Sequence, residues 1–320
     1  MQIQEICVLG GSGFVGSAIV AALQKKGYRI RVLTRKLSHA HHLKLLPNVV
    51  LQECDIFNVE TLRKALRGAD AVINLIGILH QSRKLSFNRV HHQLPATLAQ
   101  MCIDLGIPRL IHMSSLGASE KAPSQYLRSK ASGEAALNAL NNKLNITIFQ
   151  PSIIFGRHDK FINLFAGLIK HFPLIPLAKP DAKFQPVWVE DVAQCVVQSI
   201  DDIETYGKAY PLVGPKVYSF KALLQVIMKV LKVERPIIGL GNTLAYLQAF
   251  FMELMPVKLM SRDNLKSLEV DSVSQAPFPE VFKIQPTALE AIIPEYLVDQ
   301  TPRGAYDAFR AQASRKHAKR

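Results

Sequence analysis

The sequence predicts a doubly wound α/β fold followed by a small, mostly helical C-terminal lobe. Within residues 1–214, short apolar segments alternate with segments of helical periodicity, as expected when buried parallel strands are joined by helices. A glycine-rich turn joins the first strand to the first helix, and no solenoid-type repeat is present. These features indicate a Rossmann-type parallel sheet. We expect a dinucleotide-binding domain over residues 1–214, with residues 157–183 contributing to the small lobe. The small lobe itself is expected over 215–300, with a basic tail over 301–320.

Composition and charge limit the kinds of partner. The chain has 320 residues, 48% of them hydrophobic and 20% charged, which is typical of a globular protein. Its formal net charge of +14 favours an anionic partner such as a phosphorylated cofactor, an acidic protein or the anionic face of a membrane. No motif supports nucleic-acid binding. Four widely separated cysteines predict a reduced cytoplasmic protein, with attachment to the inner face of the membrane left open.

The first strand, Ile6 to Leu9, leads into glycines three residues apart. Gly10 can form a tight turn, Gly13 lets backbone approach a pyrophosphate, and Gly16 brings helix close to strand. The dipole and free amides of the following helix then favour phosphate. The alternative is a purely structural turn. The predicted diphosphate-binding residues are Gly10, Gly13, Phe14, Val15 and Gly16.

The second strand, Arg29–Thr34, ends without the acidic residue that would bind the adenosine ribose of NAD. Thr34, Arg35 and Lys36 stand there instead, and a guanidinium can bind a phosphate through two hydrogen bonds. We therefore favour NADP(H) over NAD(H), although a solvated basic turn would have the same sequence. Histidines follow at 39, 41 and 42, but without an acidic or cysteine ligand they predict no metal site.

The third and fourth strands, over 49–54 and 71–76, place further residues at the same edge of the sheet. Asp55 and Ile56 follow the third strand, where doubly wound sheets bind ligands, and we expect them at the adenine end. Asp55 could equally serve to cap the helix that begins near Asn58. Gly77 follows the fourth strand and leaves room for the cofactor.

The fifth strand, Arg109–Met113, delivers Ser114 and Ser115, and a helix beyond it carries Tyr126 and Lys130. Residues four apart share one face of a helix. Such a lysine can hold the nicotinamide ribose and lower the pKa of the tyrosine, which could then exchange a proton with a substrate. Tyr126, Lys130 and Ser115 are therefore the predicted catalytic residues.

A sixth strand over 145–150 completes an expected strand order of 3-2-1-4-5-6. Past Gly156 we expect a helix over 161–172, a proline-punctuated loop over 173–180 and a return to the main sheet over 184–189. Asp191 is predicted to be a helix N-terminal carboxylate rather than a catalytic acid. Residues 209–213 are expected to form the last strand of the sheet.

The stretch from Pro236 to Met260 is rich in leucine, methionine and phenylalanine. Such a surface could lie against a membrane or a partner subunit. Core packing within the small lobe is the favoured interpretation, because apolar helical stripes are usually buried.

The motifs resemble the short-chain dehydrogenase/reductase superfamily, in its extended or atypical, NAD-dependent epimerase/dehydratase-like branch. More narrowly, the chain is similar to bacterial relatives of the NADPH-binding accessory subunit of respiratory complex I. The matching segments are Gly10–Gly16, Asp55, Asn74–Leu79, Val90–His91, His112–Gly117, Tyr126/Lys130, Gln150–Gly156, Pro186–Val192 and Arg262–Leu265.

This resemblance implies that the glycines, Arg35, Asp55, Gly77 and Lys130 line the cofactor. Tyr126 and Ser115 would then face the nicotinamide, and the loop after Gln150, with Pro151 and Ile153, would close over it. Two residues depart from the pattern: His91 stands where many extended members have asparagine, and Leu116 competes with Ser115 for the usual serine position.

Three functions remain open from the sequence. The favoured one is a protein with tightly bound NADP(H) that docks on a respiratory or membrane-associated complex, with peripheral membrane contact as one form of attachment. The second is an active oxidoreductase, epimerase or dehydratase that uses Tyr126, Lys130 and Ser115. The third is a sensor of the NADP(H) redox state.

Overall fold

A computed structural model describes residues 3–254 and 260–298, so the predicted basic tail over 301–320 lies outside the described residues. The strands, in chain order, are β1 (Glu5–Leu9), β2 (Arg29–Thr34), β3 (Val49–Glu53), β4 (Ala71–Asn74), β5 (Arg109–Met113), β6 (Asn145–Pro151), β7 (Ile154–Phe155), β8 (Ile175–Ala178), β9 (Lys183–Phe184), β10 (Val187–Trp188), β11 (Lys208–Leu212), β12 (Tyr218–Ser219) and β13 (Ile237–Leu240).

Helices connect these strands. They are α1 (Phe14–Lys25), α2 (Val59–Leu66), α3 (Leu94–Leu105), α4 (Gln125–Asn138), α5 (Phe161–His171), α6 (Val189–Gln198), α7 (Phe220–Leu231), α8 (Asn242–Leu254), α9 (Arg262–Ser267) and α10 (Leu289–Leu297). A single π-helical turn over Asn88–Gln93 precedes α3, and 3-10 helices span Leu37–Leu43, Ile203–Thr205 and Glu280–Phe282.

The main sheet has seven strands in the order β11-β6-β5-β4-β1-β2-β3, and all its pairings are parallel. The predicted order 3-2-1-4-5-6 is therefore confirmed, with β11 added beside β6. Every residue of β4 and β5 is buried, as expected for central strands with helices on both faces. Because parallel strands end at one edge, the loops that follow β1 to β6 meet there.

Two apolar clusters lie on the two faces of this sheet. The first joins the strands to α1 and α6, through residues such as Ile19, Leu23 and Val196. The second joins them to α2 and α3, through residues such as Leu62 and Leu98. Burial of these side chains, at roughly 25 cal/mol per Å² of apolar area, is the main stabilising contribution.

A third cluster forms the small lobe from α5, β8, α7 and α10. The prediction of a loop over 173–180 is wrong in part, because residues 175–178 form β8, which pairs in parallel with β13. A two-stranded ribbon consists of edge strands, and Pro176 is tolerated there at an exposed position. Residues 157–183 thus contribute α5 and β8 to this cluster.

The predicted return of residues 184–189 to the main sheet is also wrong. Pro186 separates two short strands that pair elsewhere, β9 with β12 and β10 with β7. A proline has no amide hydrogen for a sheet ladder, so it cannot continue a central strand. Asp191 does lie in the first turn of α6, where its carboxylate accepts hydrogen bonds from the amide and hydroxyl of Thr287, at 2.7 and 3.2 Å.

The interpretation of residues 236–260 as core is wrong for most of the large side chains of α8. Ala245 and Ala249 face the protein, whereas Leu244, Leu247 and Phe251 are 58%, 49% and 58% exposed. Met255, at the end of that stretch, lies outside the described residues. The small alanines let α8 pack closely on β8 and β13, which directs its larger side chains outward. Among the described helices, none combines the length and apolar character needed to cross a membrane.

Candidate dinucleotide site

The turn after β1 has the geometry that the glycine spacing predicted. Gly10 has φ +81°, a left-handed conformation that favours glycine, and its carbonyl oxygen accepts the amide of Gly13 at 3.0 Å. A Cβ on Gly16 would lie 2.2 Å from that same oxygen. Only glycine at position 16 therefore allows α1 to approach the turn this closely.

The N-terminus of α1 is available to an anion. Gly13 is the N-cap in an extended conformation, and neither a side-chain cap nor a first-turn acidic residue occupies this end. The first amides of a helix have no intrahelical acceptor and carry the positive end of its dipole. These groups fit the diphosphate of a dinucleotide. Phe14 lies against Gly156 across the site, and Val15 packs partly into the core.

Arg35 and Asp55 line one cavity of about 490 Å³ at the carboxyl end of β2 and β3. Its other lining residues are Phe57, Ser82, Arg83, Lys84, Leu85 and Arg89. The cavity therefore gathers four basic side chains around one carboxylate. The excess of basic side chains makes the cavity favourable for an anionic group.

Local contacts organise this cavity. The Arg89 guanidinium lies 4.4 Å from the centre of the Phe57 ring and donates to the carbonyl of Lys84 at 3.1 Å. The Asp55 carboxylate accepts the amide of Phe57 at 3.0 Å. The other residues predicted at this end do not line the cavity. Thr34 is buried and its hydroxyl donates to the carbonyl of Lys36, whose side chain is exposed. Ile56 is buried in the core.

Gly77 and Lys130 meet at the other end of the site. The Lys130 ammonium donates to the carbonyl of Met113 at 3.0 Å, and a Cβ on Gly77 would lie 3.5 Å from that nitrogen. Lys130 is buried, and burial lowers its pKa to about 8 against the opposing effect of Glu134. Lys130 thus provides a buried cationic donor beside the loop after β4.

Tyr126 and Ser115 are also brought together. Burial raises the pKa of the Tyr126 hydroxyl, and hydrogen bonding to Ser115 acts in the opposite direction. Of these two effects on the pKa of Tyr126, burial is the larger, and the effect expected from Lys130 stays a prediction. The Ser115 side chain therefore lies close to the tyrosine, and its hydroxyl donates to the carbonyl of Leu116 at 3.4 Å.

His91 connects the elements around Tyr126. Its Nε2 accepts the amide of Ile78 at 3.1 Å, and its Nδ1 lies 2.8 Å from the Ser129 hydroxyl, which itself donates to the carbonyl of Tyr126. These contacts assign the neutral tautomer with hydrogen on Nδ1. Burial, with a further contribution from Lys130, lowers the His91 pKa to about 3. The ring also packs edge-on against Tyr126, with centroids 5.5 Å apart.

A buried polar pair lies beneath this end. The Asn74 amide nitrogen donates to Nδ1 of His112 at 3.1 Å, because its oxygen already accepts the amide of Ile76. Nε2 of His112 therefore carries a hydrogen, and within the described chain this nitrogen and the Ser114 hydroxyl have no hydrogen-bond partner. Burial lowers the pKa of His112 well below its usual value. Unpaired buried polar groups of this kind commonly bind water or ligand.

Sequence reasoning missed the basic residues of the loop over 82–89 and the bridging role of His91. A loop has no periodicity to fix its path, so only the pair Arg83–Lys84 could have suggested a second source of positive charge. Pro151 ends β6 and Ile153 follows it at the correct edge, and their carbonyls accept the amides of Leu116 and Val187. Across residues 3–254 and 260–298, the histidines at 39, 41 and 42 belong to no metal-ligand cluster.

Comparison with known proteins agrees with this geometry. The sequence model of the NAD dependent epimerase/dehydratase family matches residues 6–212, which include the glycine turn, the Tyr126/Lys130 helix and β11.

Two curated relatives are named as subunits of a respiratory enzyme. The mitochondrial NADH dehydrogenase [ubiquinone] 1 alpha subcomplex subunit 9 of Arabidopsis thaliana is 32% identical over 284 residues, which cover 83% of this chain and 70% of that protein. The Mus musculus protein of the same name is 34% identical over 226 residues, 69% of this chain and 59% of that protein. The chain thus spans well under the full length of either relative.

Among solved structures, the NADPH-dependent quinone oxidoreductase QOR2 of Escherichia coli, complexed with NADPH, has a similar fold. The TM-score is 0.72 at 15% identity, with 89% of this chain and 97% of that chain covered. At this identity the likeness shows the fold alone.

The neutral, buried state of His91 predicts acid sensitivity. An unfolded histidine binds a proton below about pH 6.5, whereas native His91 does not until about pH 3. The unfolded state therefore binds more protons in this window, and stability falls as pH falls, by about 1.4 kcal/mol per pH unit for one such group. We expect His91→Gln to reduce the loss of unfolding free energy between pH 6.5 and 4.5 by about 2 kcal/mol, measured by urea denaturation.

In His91→Gln, His112 is expected to preserve part of the pH dependence of the unfolding free energy, because burial also lowers the pKa of His112. The matched control is His41→Gln, at an exposed position. Equal pH slopes for wild type and His91→Gln would contradict the assignment of His91 as a buried neutral group.

Proposed function

The chain belongs to the NAD dependent epimerase/dehydratase family, and from that membership we propose that it binds NADP(H) tightly and acts as an accessory subunit of a respiratory or membrane-associated complex. The observation that carries the cofactor preference is the cavity at the adenosine end. Four basic side chains line it, and the tip of β2 presents Arg35 where an NAD-binding protein usually has a carboxylate.

The rest of the dinucleotide would be held by groups of this chain in sequence along the sheet edge. The uncapped N-terminus of α1 would bind the diphosphate through main-chain amides beside Gly13. Lys130 would donate to the nicotinamide ribose, and Gly77 would leave space for it. When bound, the nicotinamide supplies hydride-transfer chemistry. Pro151 and Ile153 are proposed to border the nicotinamide, and Ile56 and Lys36 the adenosine.

Removal of the Arg35 charge should weaken binding of NADPH selectively. We expect Arg35→Ala to raise the Kd for NADPH on the order of tenfold, because a guanidinium–phosphate interaction contributes about 1–2 kcal/mol, and to leave the Kd for NADH within about twofold. Isothermal titration calorimetry of both nucleotides measures this difference.

The control is Lys208→Ala, which removes the same charge from an exposed position on β11, at the opposite edge of the sheet from β3. If Lys208→Ala raises the Kd for NADPH as much as Arg35→Ala does, the weaker binding reflects the loss of net charge and not the loss of a contact with Arg35. If the wild-type chain binds neither NADPH nor NADH, the proposed cofactor function is wrong.

Docking on a larger complex is proposed through the outer face of α8. Other exposed apolar side chains of the small lobe are Phe172 and Leu174, after α5, and Ile238 of β13, which are 54%, 40% and 51% exposed. Register places Ile238 opposite Pro176, and the side chain of Gln248 reaches the Pro176 carbonyl at 3.4 Å, so these elements are adjacent. Several large apolar side chains exposed on adjacent elements are typical of a protein interface.

A protein partner is proposed because the curated relatives are named as subunits of NADH dehydrogenase. The outward side of α8 also has little charge, since the carboxylate of Glu253 is paired with Arg262 at 2.7 Å. Attachment in this way would place the protein in the cytoplasm at the inner face of the membrane.

Replacing apolar side chains on α8 by acidic ones should abolish docking. We expect Leu247→Glu combined with Phe251→Glu to release the protein from NADH:ubiquinone oxidoreductase on native gels of solubilised membranes from the source cells, because a carboxylate is costly to bury without a partner. Leu45→Glu is the control, since Leu45 is 89% exposed and lies outside this face. Wild-type protein that migrates apart from the complex would contradict the proposal.

An active oxidoreductase, epimerase or dehydratase is the second candidate, favoured by the proximity of Tyr126 and Ser115 with Lys130 one helical turn further on. In that reaction the Tyr126 hydroxyl would exchange a proton with substrate, Ser115 would orient the substrate oxygen, and Lys130 would hold the ribose. Binding is proposed ahead of turnover because the curated relatives are named as subunits of a larger respiratory enzyme.

The two candidates are separated by Tyr126→Phe. If the chain is an active enzyme, this change should lower oxidation of NADPH by small ketones and quinones at least about 100-fold, because general acid–base catalysis contributes that much, while the Kd for NADPH stays within about twofold. Steady-state absorbance assays and calorimetry give the two values. Turnover that survives the substitution would rule out Tyr126 as the acid–base group.

A further inference from the structure

A contact between the small lobe and α4 lies beside Tyr126. We call this part of the site, with Gly77, Ser115, Tyr126 and Lys130, the nicotinamide end. The Asp263 carboxylate, from α9, accepts the backbone amides of Gln125 at 2.7 Å and Tyr126 at 3.0 Å. These are the first two amides of α4. The N-cap hydroxyl of Ser124 accepts the third, from Leu127, at 3.2 Å. The two side chains together satisfy three of the four amides that the start of a helix leaves without an intrahelical acceptor.

Ser124 directly precedes α4 in the chain and is its N-cap. Asp263, in contrast, lies 137 residues after Tyr126. Its charge complements the positive end of the helix dipole, and both of its oxygens are used. A structural cap of α4 alone would need only a local side chain. The contribution from a separate lobe therefore couples the position of that lobe to the helix turn that carries Tyr126.

The segment around Asp263 crosses the other loops at this end of the site. We call residues 261–274 the strap. The Val270 side chain lies 3.3 Å from the position of a Cβ on Gly117, just beyond Ser115. The Ser272 carbonyl accepts the hydroxyl of Ser152 at 2.8 Å. The strap thus contacts the loop after β5, the start of α4 and the loop after β6.

The strap is itself held on the small lobe. Ser261 and Asn264 form a reciprocal capping box at the start of α9. Arg262 donates to Glu253 of α8 through its side chain at 2.7 Å and its amide at 3.1 Å. These bonds fix the residues on either side of Asp263, so its carboxylate is presented to α4 in one orientation.

We propose that Asp263 is a positioning residue that clasps the strap to the first turn of α4, fixes Tyr126 and closes the nicotinamide end, so that cofactor exchange is slow. The inference rests on the proposed function only in that the retained ligand is NADPH. It assigns tight retention to a contact from the small lobe rather than to the diphosphate-binding turn.

The test compares Asp263→Ala and Asp263→Asn with wild type, using NADPH release measured by fluorescence after a chase with excess NADP⁺. We expect the alanine variant to release NADPH on the order of tenfold faster, as loss of a partly buried carboxylate at a helix N-terminus implies. The asparagine variant should be intermediate, because one amide oxygen replaces two acceptors. Adenosine 2′,5′-bisphosphate occupies only the adenosine end, so its Kd should stay within about twofold in both variants.

Asp271→Ala is the matched control. Asp271 also lies in the strap and accepts a backbone amide, that of Lys183 at 2.9 Å, but on the small lobe and away from α4. It should leave the release rate unchanged. Equal acceleration by Asp271→Ala, or unchanged release in Asp263→Ala, would overturn the proposal.

A measurement without cofactor separates this inference from the proposed function. Amide hydrogen exchange at Gln125 and Tyr126 should accelerate in Asp263→Ala and stay slow in Asp271→Ala, because only the first loses the acceptor of those amides. If NADPH fails to bind but this exchange difference is seen, the cofactor assignment is wrong while the clasp stands. Exchange that is unchanged in Asp263→Ala would overturn the clasp itself.

Discussion

The close approach of α1 to the turn after β1 is the constraint on which the candidate site depends. A Cβ at position 16 would lie within 2.2 Å of the Gly10 carbonyl oxygen, so the helix can start directly at the sheet edge only with glycine there. That placement directs the uncapped amides of α1 at the groove between β1 and β4, where the strand order reverses direction. The basic cavity follows β2 and β3 on one side of this point, and the Tyr126 helix follows β5 on the other.

Desolvation decides the protonation states at the nicotinamide end. His91, His112, Lys130 and Tyr126 all have pKa values shifted towards the neutral form, and burial is the first cause in each case. The two histidines are fixed as opposite tautomers by donors from the backbone at Ile78 and from Asn74. At neutral pH this end of the site therefore has neutral histidine and tyrosine side chains beside one buried cationic donor, the Lys130 ammonium.

The fold was predictable because its signals are local. Apolar strands of four to seven residues, a glycine turn with strand before and helix after, and a tyrosine–lysine pair on one helical face each occupy a short window, and the strand order follows from right-handed crossovers. What the sequence could not supply was contact at long range. The basic cavity combines Arg35 with a loop some fifty residues later, and the Asp263 carboxylate reaches α4 from the small lobe. The exposed face of α8 was misinterpreted for a related reason, since periodicity identifies an apolar stripe but the alanines, rather than the larger residues, face inward.

The small lobe links the two proposed properties of the molecule through one arginine. Arg262 precedes Asp263, pairs with Glu253, and lies 5.3 Å from the ring centre of Phe250 and 5.8 Å from that of Tyr246. Both rings belong to the exposed face of α8, where they are 38% and 49% exposed. A partner that covers this face would also cover the Arg262 pairings, so docking would act on residues that hold the strap. Docking on the outer face and retention of the dinucleotide would then be coupled through a shared set of bonds, and such a coupling acts equally in both directions.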